Sequence, residues 1–342
     1  MSRLFRWWHV GRLAWPWLLG CGCGGSGPPC PASVTDIRLP EDENPHPVTM
    51  EWWYFTGHLW DERQDRFGFE VSFFQTRVSD MYAYVAHFAI SDPKAAEHIY
   101  DQRAAAPPER WTSLAFDLGG WTLERDGTIF RMAAAMPGGA VDLALSDEKD
   151  AAIHNGDGRI EMGGGGLSYY YSTTRLAASG TLEMGGQRRA VQGIAWHDHQ
   201  WGDFDVFASR GWDWFSLQFD DGAELMLFVL RTRDGSALPT GGTWVDAAGC
   251  ARDIASFSIA PHRTWHSPHT GADYPMDWTI AIAELELDIE VRATFDDQEM
   301  DSRATTLNTY WEGEVTASGT RAGKPVNALG YVELAGYGPW GP

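Results

Sequence analysis

Hydrophobic and polar residues alternate one for one along much of this chain. Phe67, Phe69, Val71 and Phe73 are interleaved with Gly68, Glu70 and Ser72, and Tyr82, Tyr84, Ala86, Phe88 and Ile90 keep the same period. Farther on, Leu285, Leu287, Ile289 and Val291 alternate with Glu284, Glu286, Asp288 and Glu290. A period of two puts the apolar set on one face of an extended segment, so each run predicts a half-buried β-strand. Asp126-Gly127, Asn155-Gly156, Asp221-Gly222 and Asp234-Gly235 punctuate these runs and supply the positive φ that tight hairpins need. Only the stretch 93–99 reads as briefly helical. Many strands at short spacing predict an all-β, antiparallel protein, closed into barrels or packed as sandwiches.

The strand pattern occurs twice. Trp52-Trp53-Tyr54-Phe55, a charged turn and Phe69-Glu70-Val71-Ser72-Phe73-Phe74 have a counterpart starting 160 residues later. There the chain reads Trp212-Asp213-Trp214-Phe215, Asp220-Asp221-Gly222 and Glu224-Leu225-Met226-Leu227-Phe228. A second echo closes each unit: Tyr170-Tyr171 leads to Ala178-Ser179-Gly180-Thr181 and Gly193, and Tyr310-Trp311 leads to Ala317-Ser318-Gly319-Thr320 and Gly330. Both copies are domain-sized, and two echoes in the same order predict two similar β-barrels, 47–205 and 206–342.

Composition removes several classes of function. Of 342 residues, 26 are Lys or Arg and 47 are Asp or Glu, giving a net charge of −21. Nucleic-acid binding needs Lys/Arg patches that such a balance does not provide. An apolar share of 44% excludes a disordered chain. The 18 tryptophans are unusual, although Trp7, Trp8, Trp15 and Trp17 fall in the first 20 residues.

Those 20 residues read as an export signal: Arg3, Arg6 and Arg12, then a short apolar run over 13–19. The run is too short to span a bilayer, which takes about 20 residues. Leu18-Leu19-Gly20-Cys21 resembles a bacterial lipobox, with Cys21 as the lipidated first residue and 21–46 as a tether. A soluble secretory signal cut elsewhere is the alternative. Loss of the three arginines would deepen the charge to −24, which reads as solubility rather than as a binding site. The expected location is outside the inner membrane of a bacterium, lipid-anchored and facing the periplasm, with the outer membrane favoured. Cys23 and Cys30 fall in the tether, while Cys250 stands alone in the body, where it cannot frame a disulfide-stapled fold.

Aligning the copies on Gly193 and Gly330 exposes an asymmetry. The first continues Ile194-Ala195-Trp196-His197-Asp198-His199-Gln200-Trp201-Gly202-Asp203, the second Tyr331-Val332-Glu333-Leu334-Ala335-Gly336-Tyr337-Gly338. A box present in one copy only is not demanded by the shared fold. On a strand, His197 and His199 face one way while Asp198 and Gln200 face the other. His197, Asp198 and His199 are therefore candidate acid–base groups. Two further readings stay open: the box wedges the barrels together, or His-x-His offers two ligands to a metal for which no third is evident. No metal is expected on that ground. Glu51 corresponds to Gly211 in the second copy and is likewise free of the fold. His262, His266 and His269 read as solvated positions in a loop. No phosphate-binding loop or nucleophile elbow is present.

At three places the sequence resembles a known family. Glu51-Trp52-Trp53-Tyr54-Phe55-Thr56-Gly57-His58-Leu59, Trp196-His197-Asp198-His199-Gln200-Trp201-Gly202 and Tyr310-Trp311-Glu312-Gly313 are similar to the AttH / carotenoid 1,2-hydratase superfamily. The resemblance implies two lipocalin-like barrels in tandem, an apolar ligand at or between them, an envelope ABC transporter as partner and, in the hydratases, cofactor-free addition of water to an isoprenoid double bond. In the hydratases the resemblance points to a His-x-Trp pair and a downstream Tyr-x-Asp as the working residues, and His199-Gln200-Trp201 matches the first pair. Where their Tyr-x-Asp is expected this chain reads Met226-Leu227-Phe228, without an acid. Glu51, Trp53, Tyr54, Trp196, Trp201 and Trp214 are the candidate ligand contacts. The expectation is a lipid-anchored double barrel that binds a hydrophobic small molecule without a cofactor. It either transforms that molecule by acid–base chemistry, as a hydratase would, or serves as a structural or transport-accessory lipoprotein.

Overall fold

A computed structural model describes residue 30 and residues 34–162, 165–205, 210–231 and 237–339. The export signal, Cys21, Cys23 and the Asp234-Gly235 turn lie outside the described residues.

Two antiparallel sheets make up the body. The first contains β1 (Met50–Asp61), β2 (Arg66–Val78), β3 (Met81–Asp92), β4 (Glu97–Ala105), β5 (Ala115–Asp117) and β6 (Thr122–Asp126). It continues with β7 (Ile129–Met136), β8 (Gly139–Asp147), β9 (Ala152–Ile153), β10 (Arg159–Glu161), β11 (Gly166–Met184) and β12 (Gln187–Phe204). The second holds β13 (Gly211–Phe219), β14 (Glu224–Arg231), β15 (Ala237–Val245), β16 (Ala251–Asp253) and β17 (Ser258–His266). β18 (Asp273–Ile282), β19 (Leu287–Ala293), β20 (Glu299–Asp301), β21 (Thr309–Arg321) and β22 (Lys324–Ala335) complete it.

Strand order displays the duplication. The first sheet runs β4-β3-β2-β1-β12-β11-β8-β7-β6-β5, the second β16-β15-β14-β13-β22-β21-β19-β18-β17, so the copies share one path. Each sheet curls around its own core, giving two lipocalin-like barrels. In the first, β4 and β5 are not neighbours in the ladder. Arg103 of β4 spans that gap: its guanidinium donates to the carbonyls of Leu118, Gly119 and Ala135 and lies 4.4 Å from the Trp121 ring.

The apolar halves of the alternating runs fill these cores. Phe67, Phe69, Val71 and Phe73 point into the first with Trp53, Phe55, Phe88 and Trp121; Leu287, Ile289 and Val291 point into the second with Trp278 and Trp311. The polar halves behave differently. Glu70 and Ser72 on β2, Thr56 and His58 on β1, and Glu312 and Glu314 on β21 are also buried. The outer face of β1–β3 packs against the outer face of β13, β21 and β22, so side chains that would be wet on an isolated barrel lie between two. Tyr54, Tyr170, Trp196, Trp214, Met226 and Tyr331 form an apolar cluster across this junction.

Buried polar groups need partners, and many here find them on the other barrel. His58 Nδ1 lies 2.9 Å from Glu314, His87 Nδ1 lies 2.7 Å from the Tyr310 hydroxyl, and Gln218 donates to the carbonyls of Thr174 and Ala195. A bulge between Thr173 and Leu176 interrupts the β11 register. Beside it, Arg175 Nε donates to Glu224 at 2.6 Å, and Lys149 Nζ bonds the same carboxylate at 2.7 Å.

Three sequence expectations are corrected. Residues 93–96 form a turn and 97–99 belong to strand β4, because Asp92 Oδ1 accepts from the backbone of Lys94 and Ala95 and closes the chain before a helix can start. His262 and His266 are exposed but sit on strand β17 rather than in a loop. Cys250 is disulfide-bonded rather than a solitary thiol.

Candidate functional site

Strand β12 divides the His/Asp box between two places. Its pleat sends His197 and His199 into the first barrel and sends Asp198 and Gln200 towards the second, all of them buried. Pairing with β1 sets Trp53 opposite His199 and Tyr54 opposite Asp198, so the aromatic motif divides in the same way.

Inside the mouth of the first barrel, His199 lies between Trp53 and Trp201, each with its ring centroid 4.7 Å away. His199 Nε2 meets Glu51 Oε1 at 2.9 Å, and Nδ1 meets the Tyr171 hydroxyl at 3.1 Å. His46 stacks on Trp201 at 4.4 Å and places Nδ1 2.7 Å from the same Glu51 oxygen. Burial pushes Glu51 up to about 7 against the pull of His46. The burial of His46 works against its charge, yet Glu51 and Asp42 outweigh it and raise its pKa. Burial, with His46 and His197 nearby, holds His199 well below the ordinary histidine value. His197 stacks on Phe55 at 4.2 Å and donates from Nδ1 to the Tyr54 carbonyl; its Nε2 faces Glu43 at 3.8 Å without a hydrogen bond. Among the described residues, His46, Glu51 and His199 form a group able to hold a metal ion, their donor atoms all within 4.8 Å of one another.

Between the barrels lies the second cluster. Asp198 accepts from Ser172, from the Trp196 indole at 2.6 Å and from the Tyr170 hydroxyl at 2.6 Å. Tyr170 accepts in turn from the Trp214 indole at 3.0 Å, and His154 links Ser172 to Thr243 of the second barrel. Burial pushes Asp198 up to about 6 against these donors. The Tyr54 hydroxyl donates to Glu312 Oε1 at 2.6 Å, while Glu312 Oε2 and the Tyr331 hydroxyl are buried without protein partners. Burial first, then the charges of Glu333 and Glu70, hold Glu312 well above the usual carboxylate range. Burial also lifts Glu70, and it pushes Glu333 up to about 7. Half-buried Trp52, Met162, Trp212 and Phe228 pack around the aromatic cluster.

Two hollows of about 370 Å³ open on the outside of the first barrel, one against β5–β8 and one along 107–115. Neither is lined by a residue of the box, and neither gathers the perturbed acids that the junction does, so the junction is the stronger candidate.

The candidate residues thus fall into two groups. Tyr54, Trp196, Asp198 and Trp214 meet between the barrels; Glu51, Trp53, His197, His199 and Trp201 meet inside the first. Residues the sequence reading passed over complete each group. His46 sits in the stretch assigned to the tether, and only its nearness to Glu51 in sequence hinted at it. Glu312 belongs to the Tyr310-Trp311-Glu312 motif, but nothing local distinguished it from an ordinary wet-face glutamate.

Comparisons with known proteins agree with this architecture. A sequence model of the family described as AttH-like matches residues 31–337. Among solved structures, the NE1406 protein of Nitrosomonas europaea, described as an AttH, is similar over 90% of this chain and 99% of its own. Its identity is 32% and its TM-score 0.81. Kievitone hydratase of Fusarium solani subsp. phaseoli is 25% identical over 206 residues, 57% of this chain and 56% of its own. Dehydratase asqC of Emericella nidulans is 24% identical over 216 residues, 60% of this chain and 61% of its own. The match therefore spans little more than half the length of these two curated relatives.

Proposed function

The chain belongs to the AttH-like family, and we propose that it is a cofactor-free hydro-lyase that adds water to, or removes it from, a hydrophobic small molecule bound between the barrels. One observation carries this reading. Glu312 is a buried carboxyl whose proton is held more tightly than usual by burial and by neighbouring acids, with one oxygen fixed by Tyr54 and the other without a protein partner, beside an aromatic cluster. A neutral acid in an apolar setting is what protonation of an alkene or of a departing hydroxyl requires. In hydration, Glu312 gives its proton to the double bond. The resulting cation faces the indoles of Trp196 and Trp214 and is stabilised by the Asp198 carboxylate. Water then adds and returns a proton to Glu312; dehydration is the reverse. The distant relatives named as a hydratase and a dehydratase support the reaction class.

The same reading has the protein exported and held by a lipid on Cys21 at the periplasmic face of an envelope membrane, where apolar substrates partition. Purified protein incubated with a panel of isoprenoid alkenes and tertiary alcohols in H₂¹⁸O should convert one class, with label in the product. Glu312→Gln should lower turnover by about 10²–10⁴-fold while leaving binding intact. No conversion and no binding across the panel would count against the proposal. Cys21→Ser should release the protein from membranes, and unchanged partition would remove the anchor from it.

A further inference from the structure

The proton transfer written for Glu312 uses no side chain of the cluster at the mouth of the first barrel, and the donor set there suits a different chemistry. We propose that His46, Glu51 and His199 form a binding site for a divalent transition metal of the zinc class. Two imidazole nitrogens and one carboxylate oxygen converge from the segment before β1, from β1 and from β12, within 4.8 Å of one another. Two histidines and a carboxylate with a fourth position open to water are a recurrent set for zinc and its neighbours.

The groups behind the donors are those a metal site uses. Histidine ligands engage their second ring nitrogen, which fixes the ring and its tautomer. Here His46 Nε2 lies 3.3 Å from Asp42 Oδ1, and His199 Nδ1 lies 3.1 Å from the Tyr171 hydroxyl. Glu51 Oε2 accepts from the His46 backbone at 2.8 Å and from Gln75 at 3.1 Å, which leaves Oε1 to face both imidazoles. Stacking on Trp53 and Trp201 holds the rings in place. The donors stand 2.7 and 2.9 Å from Glu51 Oε1. Ligands about 2.0–2.1 Å from a tetrahedral metal are about 3.3 Å apart, so the two contacts to Glu51 Oε1 need to open by about half an ångström to admit an ion. His46 is half-buried with an edge to solvent, which gives the ion an entry path and a water its position. The second barrel has Gly211 and Gly336 where the first has Glu51 and His199, so the fold does not need these donors. Bound metal would tie residues 42–46 across the barrel mouth.

The test is cobalt titration of the full purified chain after chelator treatment. Wild type should take up one equivalent of Co²⁺ with a visible d–d band, and Zn²⁺ should displace it. His199→Ala and the half-exposed His46→Ala should each weaken Co²⁺ binding at least a hundredfold, and Asp42→Asn about tenfold. Asp198→Asn, on the opposite face of β12, should titrate as wild type. Absence of a band in a folded wild-type protein overturns the site, as does a folded His46→Ala that binds Co²⁺ unchanged. Because Glu312 is not a ligand, loss of turnover in Glu312→Gln with the cobalt band retained separates this proposal from the hydro-lyase reading.

Discussion

Tyr54 of the first barrel donates its hydroxyl proton to Glu312 Oε1 of the second at 2.6 Å. The bond joins corresponding faces of two duplicated sheets and fixes an acid in a place where its anion would be poorly solvated. Removing the acid should lower turnover by about 10²–10⁴-fold, the usual range for a general acid. Tyr54→Phe should cost less, since the Glu312 carboxyl remains but loses its orientation. Steady-state rates beside ligand affinities for both variants check this; parallel losses of rate and affinity would assign the pair to binding.

Stability should fall as pH rises above about 6.5. Burial raises Glu70, Glu312 and Glu333 above their unfolded values. The folded state therefore binds more protons than the unfolded chain above about pH 4.5, and stability falls as pH rises through the folded values. Burial lowers His87 and His154 to about 3 and His98 to about 4, so their contribution is present above 6.5 and lost as pH falls. Above 6.5 these three histidines no longer oppose the acids. Tm should drop between pH 6.5 and 8.5, by up to about 1.4 kcal/mol of stability per pH unit for each acid. Glu70→Gln should flatten that drop; a thermal-shift series at constant ionic strength decides it.

Glu224 is fully buried and holds both Lys149 and Arg175 across the junction. Removing one partner of a buried ionic group strands the others, at about 3–5 kcal/mol. Glu224→Ala should show that loss in denaturant unfolding, without a change in the chemistry at Glu312.

A Cβ added at Gly68 would lie 2.3 Å from the Tyr331 hydroxyl. Gly68→Ala should therefore destabilise by about 1–3 kcal/mol, the range for overpacking. Adding Tyr331→Phe should restore part of it, because the clashing oxygen is gone while the ring still packs. A double-mutant cycle measures the coupling.

Much of the fold was legible from position-by-position pattern. Phe67 through Phe73 gave a strand and its inward face, and the paired echoes gave two copies that take the same strand path. Period two also separated His199 from Asp198 before any coordinates. It could not say that both faces would be buried, since Glu70 and Ser72 look like solvent-facing residues until a second barrel covers them. His46 and Glu312 were missed for the same reason. Each owes its role to a partner on another element: His46 to His199, 153 positions away, and Glu312 to Tyr54, 258 positions away.

What the sequence determined by itself was local and repetitive: strands, hairpin turns, the duplication, and which side of β12 each box residue takes. These follow from backbone geometry, which fixes side-chain direction residue by residue. The tertiary structure alone decided which polar face is dry, which carboxyls are pushed up by burial and which donors converge at the barrel mouth. Those properties depend on desolvation and on the distance between charges, and both are set by how two barrels dock.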